Sequence, residues 1–223
     1  MRFHDRRQAG QLLAGPLSNY ADQPGVLVLA LPRGGVPVAF EIAEALRVPL
    51  DICVVRKLGV PGHRELAMGA IAAGGVLLLN DDVVRELRIS RRVIDDVAGV
   101  EREELERRER LYRGGRPVPG VSGLTVILVD DGLATGASML AAVRAQRRRG
   151  ARRIVVAVPV AAPDAYAPLR AEADDCIILS EPLDFRAVGQ WYEDFTEIGD
   201  VEVCDLLARA RGAEAPRTRP TGM

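Results

Sequence analysis

Lysine is all but missing from this chain: of 30 basic Lys and Arg side chains, Lys57 is the single lysine and the rest are arginines. The two residues replace one another on most solvated surfaces but not at bidentate sites, so the bias reflects composition as much as chemistry. Cysteine is scarce too. Cys53, Cys176 and Cys204 are scattered without metal-ligand spacing and two lie in apolar runs, so they are expected to be small buried hydrophobes. Long hydrophobic runs are absent: stretches such as VLVLAL at 26–31 are far too short to cross a bilayer, and the N-terminal MRFHDRRQAG lacks a signal-type apolar region. A cytoplasmic location is therefore expected. An excess of one charge is also absent, because the formal net charge is −1. That excludes general attraction to nucleic acid or to membranes, so any anion must be held by a local site.

What is present suits one α/β domain: 223 residues, 48% hydrophobic and 27% charged. Asp5 with Gln8 forms a capping-box pattern, and Ala9, Leu12 and Leu13 continue a short helix until Pro16. VLVLAL is a buried strand; after the turn PRGG, Ala39, Ile42, Ala43 and Leu46 line one helical face up to Val48-Pro49. LDICVV is a second strand, followed by a loop from Gly59 to Arg64, then a hairpin across Gly74-Gly75. Ser90 caps a long charged helix in which Glu103 with Arg107, Glu104 with Arg108 and Glu106 with Arg110 stand at i,i+4 spacing, a solvated face rather than a nucleic-acid surface. LTVILVD, RRIVVAVPVAA and DDCIILSEP add strands with helices between them. Such alternation predicts a mostly parallel open sheet with helices on both faces. The predicted boundaries are a domain over 1–210, with a core at about 24–182 and a hood at about 183–200 joined by the N-terminal segment. A disordered tail is expected over 211–223, which is polar and proline-bearing.

In open parallel sheets, ligands bind beyond the carboxyl ends of the strands, which directs attention to the loops there. VILVDDGLATGAS, residues 126–138, is a buried strand ending in two acids and a small-residue turn into a helix. Gly132, Ala134, Gly136, Ala137 and Ser138 keep side chains clear, so backbone N–H groups and the helix N-terminus can surround a phosphate, with Thr135 and Ser138 adding hydroxyl donors. The spacing fits neither a Walker A loop nor the dinucleotide fingerprint. Two carboxylates there would repel a polyphosphate but can accept from neighbouring sugar hydroxyls and help hold a divalent cation. A ribose 5-phosphate meets those demands.

An apolar strand followed by Asp130-Asp131 and GLATGAS resembles the phosphoribosyl-pyrophosphate (PRPP) motif of type I phosphoribosyltransferases. The resemblance implies that Asp130 and Asp131 hold the ribose 2- and 3-hydroxyls, and that Ala134, Thr135, Gly136, Ala137 and Ser138 hold the 5-phosphate. It also implies that Arg33, Gly34 and Gly35 of LPRGG, with Arg56 and Lys57, face the pyrophosphate. Cations and exposed glycine N–H groups suit that role, since they stabilise the leaving diphosphate. Magnesium is implied as a cofactor arriving with PRPP and oriented through Asp130 and Asp131, not held in an all-protein cage. Relatives acting on 6-oxopurines carry an acid where this chain has Ala134; adenine-using relatives can use a glutamate on a mobile loop, for which Glu65 is the candidate acid/base, with His63 nearby.

Residues 182–200, PLDFRAVGQWYEDFTEIGD, gather Phe185, Trp191, Tyr192 and Phe195. These aromatics are candidates to stack on a nucleobase, with Glu193 or Asp194 accepting from its N–H edge; equally, they can seal the core or a homodimer contact. LPRGGVPVA, VRKLGVPG, DDGLATGAS and VGQWYEDF together resemble a bacterial subfamily of phosphoribosyltransferases without an assigned acceptor, some fused to hydrolase domains, over most of residues 1–210. The implied activity is a magnesium-dependent transferase using PRPP and a nucleobase-like acceptor, in nucleotide salvage. A PRPP-sensing regulatory protein and a ribosyl-phosphate hydrolase are the alternatives.

Overall fold

A computed structural model of the chain describes residues 1–214, apart from the side chains of residues 64, 65, 213 and 214. Strands β1 (Val26–Ala30), β2 (Leu50–Ile52), β6 (Thr125–Val129), β7 (Arg153–Val160) and β8 (Asp175–Ser180) form a five-stranded sheet in the order β2-β1-β6-β7-β8. Every pairing in it is parallel. β1 and β6 are buried at each position, which is why they read as unbroken apolar runs and not as alternating patterns. Their side chains still divide by parity. Val28, Ile127 and Val155 face a core with α1 (Arg6–Ala14), α2 (Gly35–Leu46), α4 (Arg91–Arg113) and α7 (Asp200–Glu214), whereas Leu27, Leu29, Val126, Leu128 and Val156 face α5 (Ala137–Arg148) and α6 (Pro163–Glu172). The expected α/β class and two-faced packing are thus observed.

A second, antiparallel sheet follows the order β3-β4-β5: β3 (Val55–Val60), β4 (His63–Ala72) and β5 (Val76–Leu79). The Gly74-Gly75 hairpin is there, both glycines having positive φ as a tight turn requires. Two local expectations need correction. Only Leu50–Ile52 of LDICVV joins the main sheet; the chain then leaves it and restarts at Val55. The expected loop from Gly59 to Arg64 is instead a hairpin closed by Pro61 and left-handed Gly62, with register shifts on both sides of Gly59 absorbing the irregularity.

Both caps form: Asp5 accepts from the Gln8 amide at 2.8 Å while Gln8 accepts from the His4 amide at 2.7 Å, and Ser90 accepts from the Val93 amide at 3.4 Å. On α4 the Glu103–Arg107 pair is replaced, since Arg107 turns to Glu104, which Arg108 also binds. Cys53 is fully buried, accepting from Gln146 at 3.3 Å, and burial pushes its thiol up to about 11. Cys176 and Cys204 are only half-buried, contrary to expectation, and all three are free thiols. Residues 211–214, expected within a disordered tail, continue α7; the rest of that tail lies outside the described residues. No helix among the described residues is long and apolar enough to cross a membrane, α4 being heavily charged.

Where β2 ends, Arg113 from α4 is 2% exposed and donates to Asp51, Glu109 and the Ile52 carbonyl at 2.9, 2.8 and 2.8 Å. Removing one side of such a buried cluster strands the opposite charge. Arg113→Ala is expected to lower the unfolding free energy by about 3–5 kcal/mol, read by urea denaturation; a loss within the range of an exposed pair would show that the cluster is not buried in solution.

Candidate active site

The main sheet reverses its winding between β1, whose helix leads outward to β2, and β6, whose helix leads the opposite way to β7. Such a switch point opens a crevice at the carboxyl ends of the two strands. The turn LPRGG leaves β1 there and the acids leave β6 there, tied by the Leu31 amide donating to the Val129 carbonyl at 2.8 Å. They are packed tightly. A Cβ on Gly35 would fall 2.7 Å from the Val129 carbonyl oxygen, so glycine is required there, and one on Gly34 would fall 2.0 Å from Asp131 Oδ2 and displace that carboxylate. The Pro32–Arg33 peptide in this turn is cis.

Asp130 Oδ1 accepts from the Asp131 amide at 2.9 Å, leaving its carboxylate beside that of Asp131. Burial, then the neighbouring Asp131 charge, holds the Asp130 carboxyl well above its usual range. Burial raises Asp131 as well, opposed by Arg6, whose Nε donates to Asp131 Oδ2 at 2.8 Å. Beyond the acids, Leu133 bridges back to β7, its amide donating to Val160 at 2.9 Å, and the chain enters α5. Gly136 is buried in the left-handed region, where a Cβ would meet the Ala165 carbonyl at 2.6 Å. Ala134, Thr135, Ala137 and Ser138 around it are exposed, with Thr135 Oγ1 accepting from the Ala137 amide at 3.4 Å. The result is an open loop at a helix N-terminus, the local geometry that accepts an anion.

The predicted cations separate. Successive strand residues point to opposite faces, and β3 sends Lys57 into a cleft of about 580 Å³ between the second sheet and α5, which Ser138 also lines. Arg56 goes the other way, its Nε donating to Glu101 of α4 at 2.8 Å. The structure therefore places Lys57, not Arg56, in the cleft that Ala137 and Ser138 at the start of α5 also line. Arg33 projects from the glycine turn to Glu197, with Asp200 at 3.9 Å. His63 begins β4 and is exposed; Glu65 follows in the same strand, its side chain outside the described residues.

The model of the phosphoribosyl transferase domain matches residues 4–192. The chain belongs to that family. Curated proteins from two Mycobacterium tuberculosis strains, each named as a provisional phosphoribosyl transferase, are 47% identical over 208 residues, covering 93% of this chain and 47% of theirs. The chain thus spans about half the length of the curated relatives it matches. The crystal structure of TT1426 from Thermus thermophilus is 45% identical with a TM-score of 0.84, covering 94% of this chain and 99% of that one. A Neisseria gonorrhoeae hypothetical protein with bound ppGpp, at 13% identity, TM-score 0.50 and coverage of 95% of this chain and 99% of that one, shares the fold alone.

In this phosphoribosyl transferase domain the hood corrects one candidate outright. Tyr192 is buried, packs on Phe3 and Phe195 with ring centroids 5.5 and 5.1 Å away, and donates from its hydroxyl to the Asp131 carbonyl at 2.6 Å. Burial and then the Asp131 charge push its hydroxyl pKa up. It supports the acids and offers no free face for a base. Phe185 and Trp191 are half-buried against the same cluster, and the Trp191 indole N–H is buried with no acceptor among the described residues. Glu193 pairs with His4, and Asp194 accepts from Thr196, so both are engaged within the hood and the N-terminal segment.

Arg6, Thr196, Glu197 and Asp200 were not singled out from the sequence. One signal existed for Arg6: it shares the buried stripe of α1 with Ala9, Gly10 and Leu13, a helical spacing in which a cation needs a buried partner.

The acid pair yields a pH prediction. A carboxyl whose folded pKa is raised above its unfolded value contributes stability at low pH that is lost as pH climbs from about 4 through the raised value. Asp130→Asn keeps an acceptor for the Asp131 amide without the charge. Its melting temperature should exceed that of the unaltered chain at pH 7–8, and the gap should close toward pH 4; a gap that widens on acidification would contradict the raised pKa.

Proposed function

We propose that this domain transfers ribose 5-phosphate from PRPP to a nitrogen of a nucleobase-like acceptor, releasing pyrophosphate. One observation carries the reading: the glycine turn after β1 and the acid pair with its open loop after β6 meet at the switch point, with Asp131 against Gly34. On this reading Asp130 and Asp131 accept from the ribose 2- and 3-hydroxyls. Residues 134–138 hold the 5-phosphate by backbone N–H groups and hydroxyls. Arg33, the Gly34 and Gly35 amides and Lys57 face the diphosphate, whose charge grows as the C1–O bond breaks. No covalent nucleophile is needed: the acceptor nitrogen attacks an oxocarbenium-like C1 from the opposite face, and the protein supplies alignment and charge stabilisation. Phe185 and Trp191, both only half-buried, are the proposed base contacts through the exposed parts of their rings.

The adjacent carboxylates of Asp130 and Asp131 suit magnesium that arrives on the diphosphate and is oriented rather than caged by the protein. Charge on the leaving group would be neutralised by such an ion. Salvage of a free base in the cytoplasm is the setting this chemistry implies.

A sensing role draws on one observation, that Arg33 and Asp131 are both already engaged, by Glu197 and Arg6. Pyrophosphate release from PRPP and magnesium across a panel of bases separates the readings. Base-dependent release supports transfer; base-independent release supports hydrolysis, and tight binding without turnover supports sensing, each against transfer. Lys57→Arg should cut base-dependent release by about tenfold, since a broad guanidinium cannot follow the departing charge as a compact ammonium does; an unchanged rate would remove Lys57 from the reaction.

A further inference from the structure

Arg6 is 7% exposed, a burial that arginine rarely shows without a partner. It begins α1, where a cation opposes the helix dipole, so its position is held by something other than the helix. Three constraints fix it. Gly10 brings α1 close onto α2, since a Cβ there would lie 2.5 Å from the Val38 carbonyl oxygen. The residues just before Arg6 pair with the hood: the Phe3 amide donates to Trp191, and the Glu193 and Asp194 amides donate to Phe3 and His4, each at 2.8 Å. The guanidinium then meets three partners, Nε donating to Asp131 Oδ2 at 2.8 Å, Nη1 donating to the Thr196 carbonyl at 2.9 Å, and its flat face lying 3.8 Å from the Phe195 ring centroid.

We propose that Arg6 is a positioning residue, which sets the Asp131 carboxylate for the ribose hydroxyls and links that setting to the hood. The inference rests on the PRPP reading above. A carboxylate offers about four lone-pair sites, and Arg6 uses one N–H, so the acid retains acceptors for a sugar while Arg6 stays in place. Without the guanidinium, Asp131 would sit beside Asp130 with its charge uncompensated, against a glycine turn that leaves little room to move. A lysine cannot replace it, because an ammonium has neither the planar fork that spans Asp131 and Thr196 nor the face that lies on Phe195. The alternative arrangement, in which Arg6 is a plug that ligand must expel, predicts the opposite effect on affinity.

Calorimetric titration with PRPP and with inorganic pyrophosphate, each with magnesium, tests this on the full chain and its Arg6→Lys and Arg6→Met variants, with thermal melting as the check on folding. Pyrophosphate lacks the ribose that Asp131 serves, so it reports the remainder of the site. Both variants should weaken PRPP by about tenfold or more while changing pyrophosphate affinity by less than about twofold. Arg6→Lys keeps charge and stem, and carries the test if Arg6→Met does not fold. Equal losses for the two ligands would make Arg6 merely structural, and unchanged or tighter PRPP binding would also overturn the proposal. If the unaltered chain binds pyrophosphate but not PRPP, or neither, the PRPP reading itself fails and this inference with it.

Discussion

The carboxylate of Asp131 occupies the space that any side chain at residue 34 would need. This contact brings the turn after β1 and the turn after β6 within reach of a single ligand, and it depends on the two strands being direct parallel neighbours from Val26 opposite Thr125 to Ala30 opposite Val129. The buried aliphatic strands supply the rigidity, and the crossovers on either side leave the crevice open. The same closeness creates an electrostatic problem: two adjacent acids in a crowded place, each with a raised pKa.

The hood answers that problem more than it offers a stacking platform. Its backbone pairs with the N-terminal segment, its Tyr192 hydroxyl binds the Asp131 carbonyl, and its Thr196 and Phe195 hold Arg6 against the Asp131 carboxylate. A few residues on, Glu197 holds Arg33, and Asp200 accepts from the Tyr112 hydroxyl of α4 at 2.6 Å. One segment therefore touches the acids, the glycine turn and the long helix. Residues 192–200 thus contact both sides of the crevice.

Legibility from the sequence followed the range of the interactions. Buried strands, caps and the DDGLATGAS loop are written in consecutive residues, and the parallel sheet follows from their alternation with helices. Partners far apart in the chain are not written that way. Arg6 meets Asp131 across 125 positions and Arg56 meets Glu101 across 45, so no local spacing could name either partner. Arg56 and Lys57 looked like one basic pair, yet a strand sends neighbours to opposite faces, a consequence available once β3 was recognised as extended through Val60. Tyr192 stayed open between two roles for a related reason: aromatic content marks a residue for stacking or for the core, and only the hydroxyl's distant acceptor decides between them.

On the proposed function, both turns serve one ligand. Phosphorus-31 spectroscopy of PRPP with magnesium tests it directly, since the 5-phosphate and the diphosphate give separate resonances. On addition of the protein, the 5-phosphate and both diphosphate lines should shift or broaden together with a single saturation curve. A 5-phosphate line left unmoved while the diphosphate lines respond would place the ligand on the glycine turn alone and contradict the shared site.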